Sequence, residues 1–325
     1  MNVKLFFVMF LLSAWLTPLI AQYDFEAKER ERMANAKVRI QTEWAHNFVD
    51  GKPASKGNIS SVTKYNTKGN ITEVTNFNEE GKIISLVVYQ YDSRDNRVNF
   101  ERHQGNREKL LYSQKTVYDA RGNKTREYGF DGQAPYNNTF KYDADGKLSE
   151  INYTIDNAPQ ERRVFKHTGN KTEIFIYNAA NTLINRQENT YNDQGLLVSE
   201  VRSGSAGNVV HTLGLQYNNV GYLQEEMKTR ADDKLDYQKI YYYDSNNRPI
   251  KIETTNSDGT KFVSNEYQFN EKGDLIMDSW KKNERAKEPS TKKYTYDSTG
   301  LYTEIESYFA THQFQSLCKY TYEFY

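Results

Sequence analysis

The stretch "KYDADGKLSE", residues 141–150, carries Asp143, Asp145 and Gly146 and closes on Glu150, so it reads either as half of a calcium loop or as a tight turn between strands. A calcium site needs several oxygen ligands converging on one ion. The sister stretches "YNTKGN" (65–70), "YDARGN" (118–123) and "YDSTGL" (296–301) keep the aromatic, the Asx residue and the glycine but not the second carboxylate. What recurs is turn chemistry. An Asx side chain accepts backbone N–H groups two residues on, and glycine supplies the left-handed conformation that closes the reversal. Asp143 is therefore read as a turn former, and no metal site is assigned.

Working outward, the same pattern is anchored at Tyr65, Tyr91, Tyr118, Tyr142, His167, Tyr191, Tyr217, Tyr243, Phe269 and Tyr296, a period near 26 residues. Nine of the ten anchors are followed by Asp or Asn, and the position two residues before the anchor is aromatic or leucine in seven of ten copies. The residue between those two is mostly polar, and alternation with period two marks a strand with one packed and one wet face. Half-way between anchors lie looser turns such as "NEEG" (78–81), "SGSAGN" (203–208) and "NSDG" (256–259). Each repeat is then two antiparallel strands of about nine residues, at the long end of the usual range. From about Val38 to Tyr325 this predicts an all-β chain of tandem antiparallel hairpins, about 22 strands in one long twisted or curled sheet. Neighbouring hairpins support one another through cross-strand aromatic pairs. Ahead of the array, "DFEAKERERMANAK" has helix-forming composition with Asp24 as its N-cap. The expected divisions are a signal peptide over 1–21, a short helical cap over 22–37 and the hairpin array over 38–325.

Composition narrows the function classes. With 43 basic and 43 acidic side chains and a mean hydropathy of −0.89, the chain has no charge excess to draw it to nucleic acid. Lys4, the apolar run from Leu5 to about Leu16 and Pro18 ahead of Ala21 form a secretory signal pattern. Membrane contact is expected only through that cleaved segment, and the chain is expected in the periplasm, at the cell surface or outside the cell. Cys318 is the single cysteine, which rules out an intramolecular disulfide, and its alternating surroundings mark it as a packing residue. His46, His103, His167, His211 and His312 have no zinc-binding spacing, and no nucleophile elbow or phosphate-cradling loop is present. Glu73, Glu150, Glu225 and Glu304 recur four residues after the turn glycine and are read as a solvated strand face.

The recurring "YDARGNKTREYGFDG", "FKYDADGKLSEINY" and "YTYDSTGLYTEIES" resemble the YD-repeat, or RHS-repeat, proteins of bacterial secretion and surface systems, over about Val62 to Tyr308. The resemblance implies an exported β-hairpin array, which larger relatives wind into a hollow shell around a toxin. This chain is short for a shell of that kind. The residue after the turn glycine, often arginine in that family, is here Asn70, Asn123, Lys147, Leu196, Tyr222, Asp274 or Leu301.

The function expected from these features is a non-catalytic secreted or envelope scaffold that binds a protein or glycan partner, with no cofactor. Tyr222 and Tyr242 are the candidate ligand-stacking residues, since aromatic faces suit either partner. Two alternatives stand beside it. One is an outer-membrane β-barrel, suggested by the strand number and the aromatic "KYTYEFY" at 319–325, although Gln114 and Lys115 put polar groups on both faces of one strand. The other is a carbohydrate-active enzyme working in a groove of the curled sheet.

Overall fold

The computed structural model describes residues 24–49 and 51–325, and the expected signal peptide lies outside the described residues. At each of the nine Asx anchors the side-chain oxygen caps the reversal. In the opening stretch, Asp143 Oδ1 accepts from the backbone N–H of Asp145 (3.0 Å) and Lys147 (2.8 Å), while Gly146 N–H donates to the Asp143 carbonyl (3.1 Å). Gly146 has φ +79°, and Asp95 and Asn247 take the same left-handed conformation where their copies lack the glycine. The tenth copy follows Thr168, which has no Asx oxygen to offer. There the strands pair as far as Thr168 and Lys171 and reverse through Gly169–Asn170 alone.

The number of strands in the main ladder is 22, with a separate hairpin of Phe48–Val49 and Lys52–Pro53. From Asn58–Tyr65 to Phe314–Phe324 every strand pairs antiparallel with the next in sequence. The expectation of a long open sheet is corrected at its ends. The strand Val38–His46 pairs with Phe314–Phe324 on one side and with Asn58–Tyr65 on the other, so the ladder shuts into a barrel. The physical reason is twist. Twenty-two strands at about 4.8 Å each make a ribbon about 105 Å wide, whose accumulated coil brings the two edges near one another. An unpaired strand between them then satisfies both rows of backbone groups.

The two faces differ. The helix Phe25–Asn35 is capped by Asp24, whose Oδ1 accepts from Ala27 N–H at 2.9 Å. It meets residues of strands around about a third of the ring, from Tyr267, Tyr296 and Tyr302 on one flank to Tyr65 on the other. A helix of eleven residues, about 16 Å long, reaches so many strands only from the concave side. The anchor tyrosines therefore line the lumen. At most anchors the pairing slips by one residue: Tyr142 pairs with Leu148 but Lys141 pairs with Glu150, leaving Ser149 as a bulge.

The opposite face carries ion pairs, among them Lys64–Glu73 (2.8 Å), Lys141–Glu150 (2.6 Å), Lys171–Glu188 (2.8 Å) and Lys319–Glu304 (3.0 Å). Apolar packing is local. The largest buried groups near the helix, Met33, Val38, Tyr65 and Leu301, form one cluster at the mouth where the Asx turns lie. Two others, around Ile151, Phe165 and Ile174 and around Leu197, Leu215 and Leu223, line the inner wall between neighbouring strands.

Candidate functional site

The inner wall is built by one repeated contact. The anchor hydroxyl reaches back to the preceding repeat and donates to the carbonyl two residues past its turn glycine. It does so in Tyr142 to Lys124, Tyr217 to Leu197, Tyr243 to Leu223 and Tyr296 to Leu275, at 2.6–2.8 Å. Tyr91 makes the equivalent bond to Ile71, two residues past Gly69, at 2.9 Å. His167 fills the role with Nε2, 2.8 Å from the Leu148 carbonyl, while Nδ1 faces the Thr172 hydroxyl at 3.0 Å. A carbonyl only accepts, so Nε2 carries the proton. The closing strand joins the same system. Gln41 accepts from Tyr65 and donates to Tyr322, and Tyr325 donates to the Tyr65 carbonyl.

One residue beyond the outward glutamates lies an inward row that alternation counted from the turn glycine misses, because the bulge restores the opposite parity. Glu127, Glu200, Glu226 and Asp278 all point into the lumen. Glu127 is 4% exposed and takes Lys124 Nζ at 2.6 Å, with Gln114 and Asn138 amides beside it. Glu226 accepts from Tyr237 and Tyr241, and Glu200 from Gln187 and Arg202. Asp278 is the exception: its Oδ1 is buried without a hydrogen bond, and burial raises its pKa against the smaller pull of Lys292. A fifth carboxylate, Glu43 of the closing strand, accepts from Tyr320 at 2.8 Å. Burial and Glu43 together push the Cys318 thiol up to about 12, which leaves it protonated and a packing group.

The helix packs against the inner wall at one mouth. Arg32 donates to Asp274 at 2.8 Å and lies over the rings of Tyr296 (4.8 Å) and Tyr302 (5.0 Å), while Phe25 meets Tyr267 at 6.1 Å. The turn at Gly69 packs directly on the helix backbone, where a Cβ would overlap the Arg30 carbonyl. At the other mouth the segment 281–289 replaces the short reversal found elsewhere and walls a cavity of about 850 Å³. Its floor is aromatic: Trp280 and Phe309 meet edge to face at 6.0 Å, and Phe309 is backed outside the cavity by Phe314 at 6.2 Å. Its rim carries Lys282, Arg285 and Lys287. A signal for this cavity existed in the sequence, since "KKNERAKEPS" (281–290) lacks a glycine, makes the longest break between strands of the array and carries four cations.

The residues singled out from sequence fall in different places. Tyr222 lies beside its turn, its ring 5.5 Å from that of Tyr243. Tyr242 is on the outer face, with Lys251 Nζ 3.9 Å above the ring and its hydroxyl bonded to Glu253 at 2.6 Å. The two do not form a joint site. Glu73, Glu150 and Glu304 are in outward ion pairs, and Glu225 accepts from Gln238. Among the histidines, His46 bonds the Ala54 carbonyl, His103 bonds Glu101, His211 faces Glu200, and His312 lines the open-mouth cavity. No group of three metal-ligating side chains occurs among the described residues.

No family model matches the chain, and no curated protein matches it. Among solved structures it is similar to a porin-like protein from Bacteroides uniformis, at 12% identity over 74% of this chain and 97% of that one, with a TM-score of 0.35. It is also similar to part of TcdB2-TccC3, at 12% identity over 82% of this chain and 19% of that one, with a TM-score of 0.19. At these scores neither similarity carries a functional inference.

Proposed function

We propose that the chain is an exported, non-catalytic hollow barrel that works in water, with its helix packed inside one mouth and a ligand received at the other. The observation that carries this is the division of faces. The closed ladder of 22 strands is the architecture that the outer-membrane alternative requires. A lipid-facing barrel also needs an apolar outer band, and an Arg or Lys at the bilayer midplane costs about 2–4 kcal/mol. Here the outward face carries Lys115, Arg162, Glu188, Glu253, Glu304 and Lys319, with Tyr177 and Tyr242 set among the charges, while the anchor tyrosines turn inward. The resemblance of the repeats to exported YD-repeat chains supports the same compartment.

The test uses the chain from residue 22 onward, purified without detergent. We expect a monodisperse monomer whose small-angle scattering shows a hollow body. Partition into detergent micelles, or ion conductance in planar bilayers, would instead establish the outer-membrane reading.

A further inference from the structure

We infer that the open-mouth cavity bounded by Trp280, Phe309 and the 281–289 segment binds an acidic oligosaccharide. This deepens the reading of the barrel as a binding body and rests on it. Three observations converge. First, Trp280 and Phe309 line the cavity and meet edge to face at 6.0 Å, with Phe314 continuing the ring contacts just beyond it. Flat ring faces of this kind accept the C–H face of a sugar.

Second, the cavity of about 850 Å³ is of small-ligand size, with Asn283, Ser290 and Gln313 offering polar groups around the rings. Third, the segment 281–288 carries four cations, Lys281, Lys282, Arg285 and Lys287, against two carboxylates, in a chain whose net charge is zero. Both carboxylates are engaged: Glu284 by Asn256 at 2.8 Å and Arg285 at 3.3 Å, Glu288 by the Tyr308 hydroxyl at 3.1 Å. The rim therefore presents unbalanced positive charge, and a carboxylated sugar complements it.

An acidic peptide is the competing occupant. Extended peptides gain much of their affinity by adding to an open sheet edge. The ladder beside this cavity offers none, because Leu275–Trp280, Ser290–Tyr296, Tyr302–Phe309 and Phe314–Phe324 are each paired on both sides. A saccharide needs no such edge.

The experiment titrates the chain from residue 22 onward with a galacturonate oligomer, its methyl-esterified counterpart and a glutamate oligopeptide. Calorimetry and tryptophan fluorescence follow binding, with Trp44→Phe present so that Trp280 alone reports. We expect the galacturonate oligomer to bind with salt-sensitive affinity and to quench Trp280. Trp280→Ala should weaken it roughly tenfold. The exposed pair Lys282→Gln and Lys287→Gln, which leaves the strands untouched, should weaken it by a similar factor and flatten the salt dependence.

No binding to an intact chain that stays monodisperse in buffer overturns the saccharide assignment while leaving the barrel reading in place. Binding of the ester or the peptide as tight as that of the acid also overturns it, as does binding indifferent to both variants.

Discussion

The anchor position is tyrosine or histidine, not merely aromatic, wherever its hydroxyl or ring nitrogen ties one repeat to the carbonyl of the one before. The energetic weight of that atom is measurable at Tyr217, whose hydroxyl lies 2.8 Å from the Leu197 carbonyl and which burial pushes up to about 12. Tyr217→Phe removes one hydrogen bond and strands its acceptor, so urea unfolding should show a loss of about 1 kcal/mol. Phe269, the one anchor with no polar atom on its ring, shows that the tie is not required at every repeat; six of the ten anchors make it.

Carboxylates answer to pH in opposite senses. The Asp119 carboxyl is held below its ordinary 3.8 by the backbone N–H of Asn123 and its other turn bonds, so its stabilisation is present above that value and lost as pH falls through the folded value. Asp278 is raised by burial, so the fold favours its protonated form. Its favourable contribution is complete below 3.8 and disappears as pH rises through the folded value. Asp278→Asn should therefore raise the melting temperature at neutral pH, with the gain vanishing in acid, as read by calorimetry across that window.

At the scale of the strand, the sequence was legible wherever the chemistry is local. The Asx side chains at Asn66, Asp119, Asp143 and Asp297 cap reversals because their oxygens reach N–H groups two and four residues on, a property of a short stretch alone. The inward row escaped that reading. Strict alternation would set Glu127, Glu200, Glu226 and Asp278 on the outer face, and a single inserted residue such as Ser149 reverses the parity.

The open-mouth cavity escaped for another reason. Trp280 and Phe314 are separated by two strands in the chain and meet only through Phe309, a cross-strand contact with no sequence spacing of its own. Closure of the ladder was equally hidden, because Val38–His46 belongs to no repeat copy. Its role appears only in its two partners. Thr42 faces Thr321 on one side and Val62 on the other. Thr42→Pro should break this seam and bare two strand edges, and size-exclusion chromatography should show dimers and larger species in place of the monomer.

Taken as a whole, the barrel is a sequence of near-neighbour pairings completed by one distant one. Every hairpin can zip within a few tens of residues, but Glu43 and Tyr320 meet across 277 residues of intervening chain. The entropy of bringing such ends together grows only with the logarithm of the length, about 5 kcal/mol here, so distance is a modest thermodynamic burden and mainly a matter of timing. Synthesis must therefore deliver a ribbon with two raw borders before any vessel exists, and during that interval each border can recruit another copy as readily as its own far end. Dilution, or a chaperone that shields the borders until the late strand arrives, should decide between sealed monomers and chains of linked ribbons.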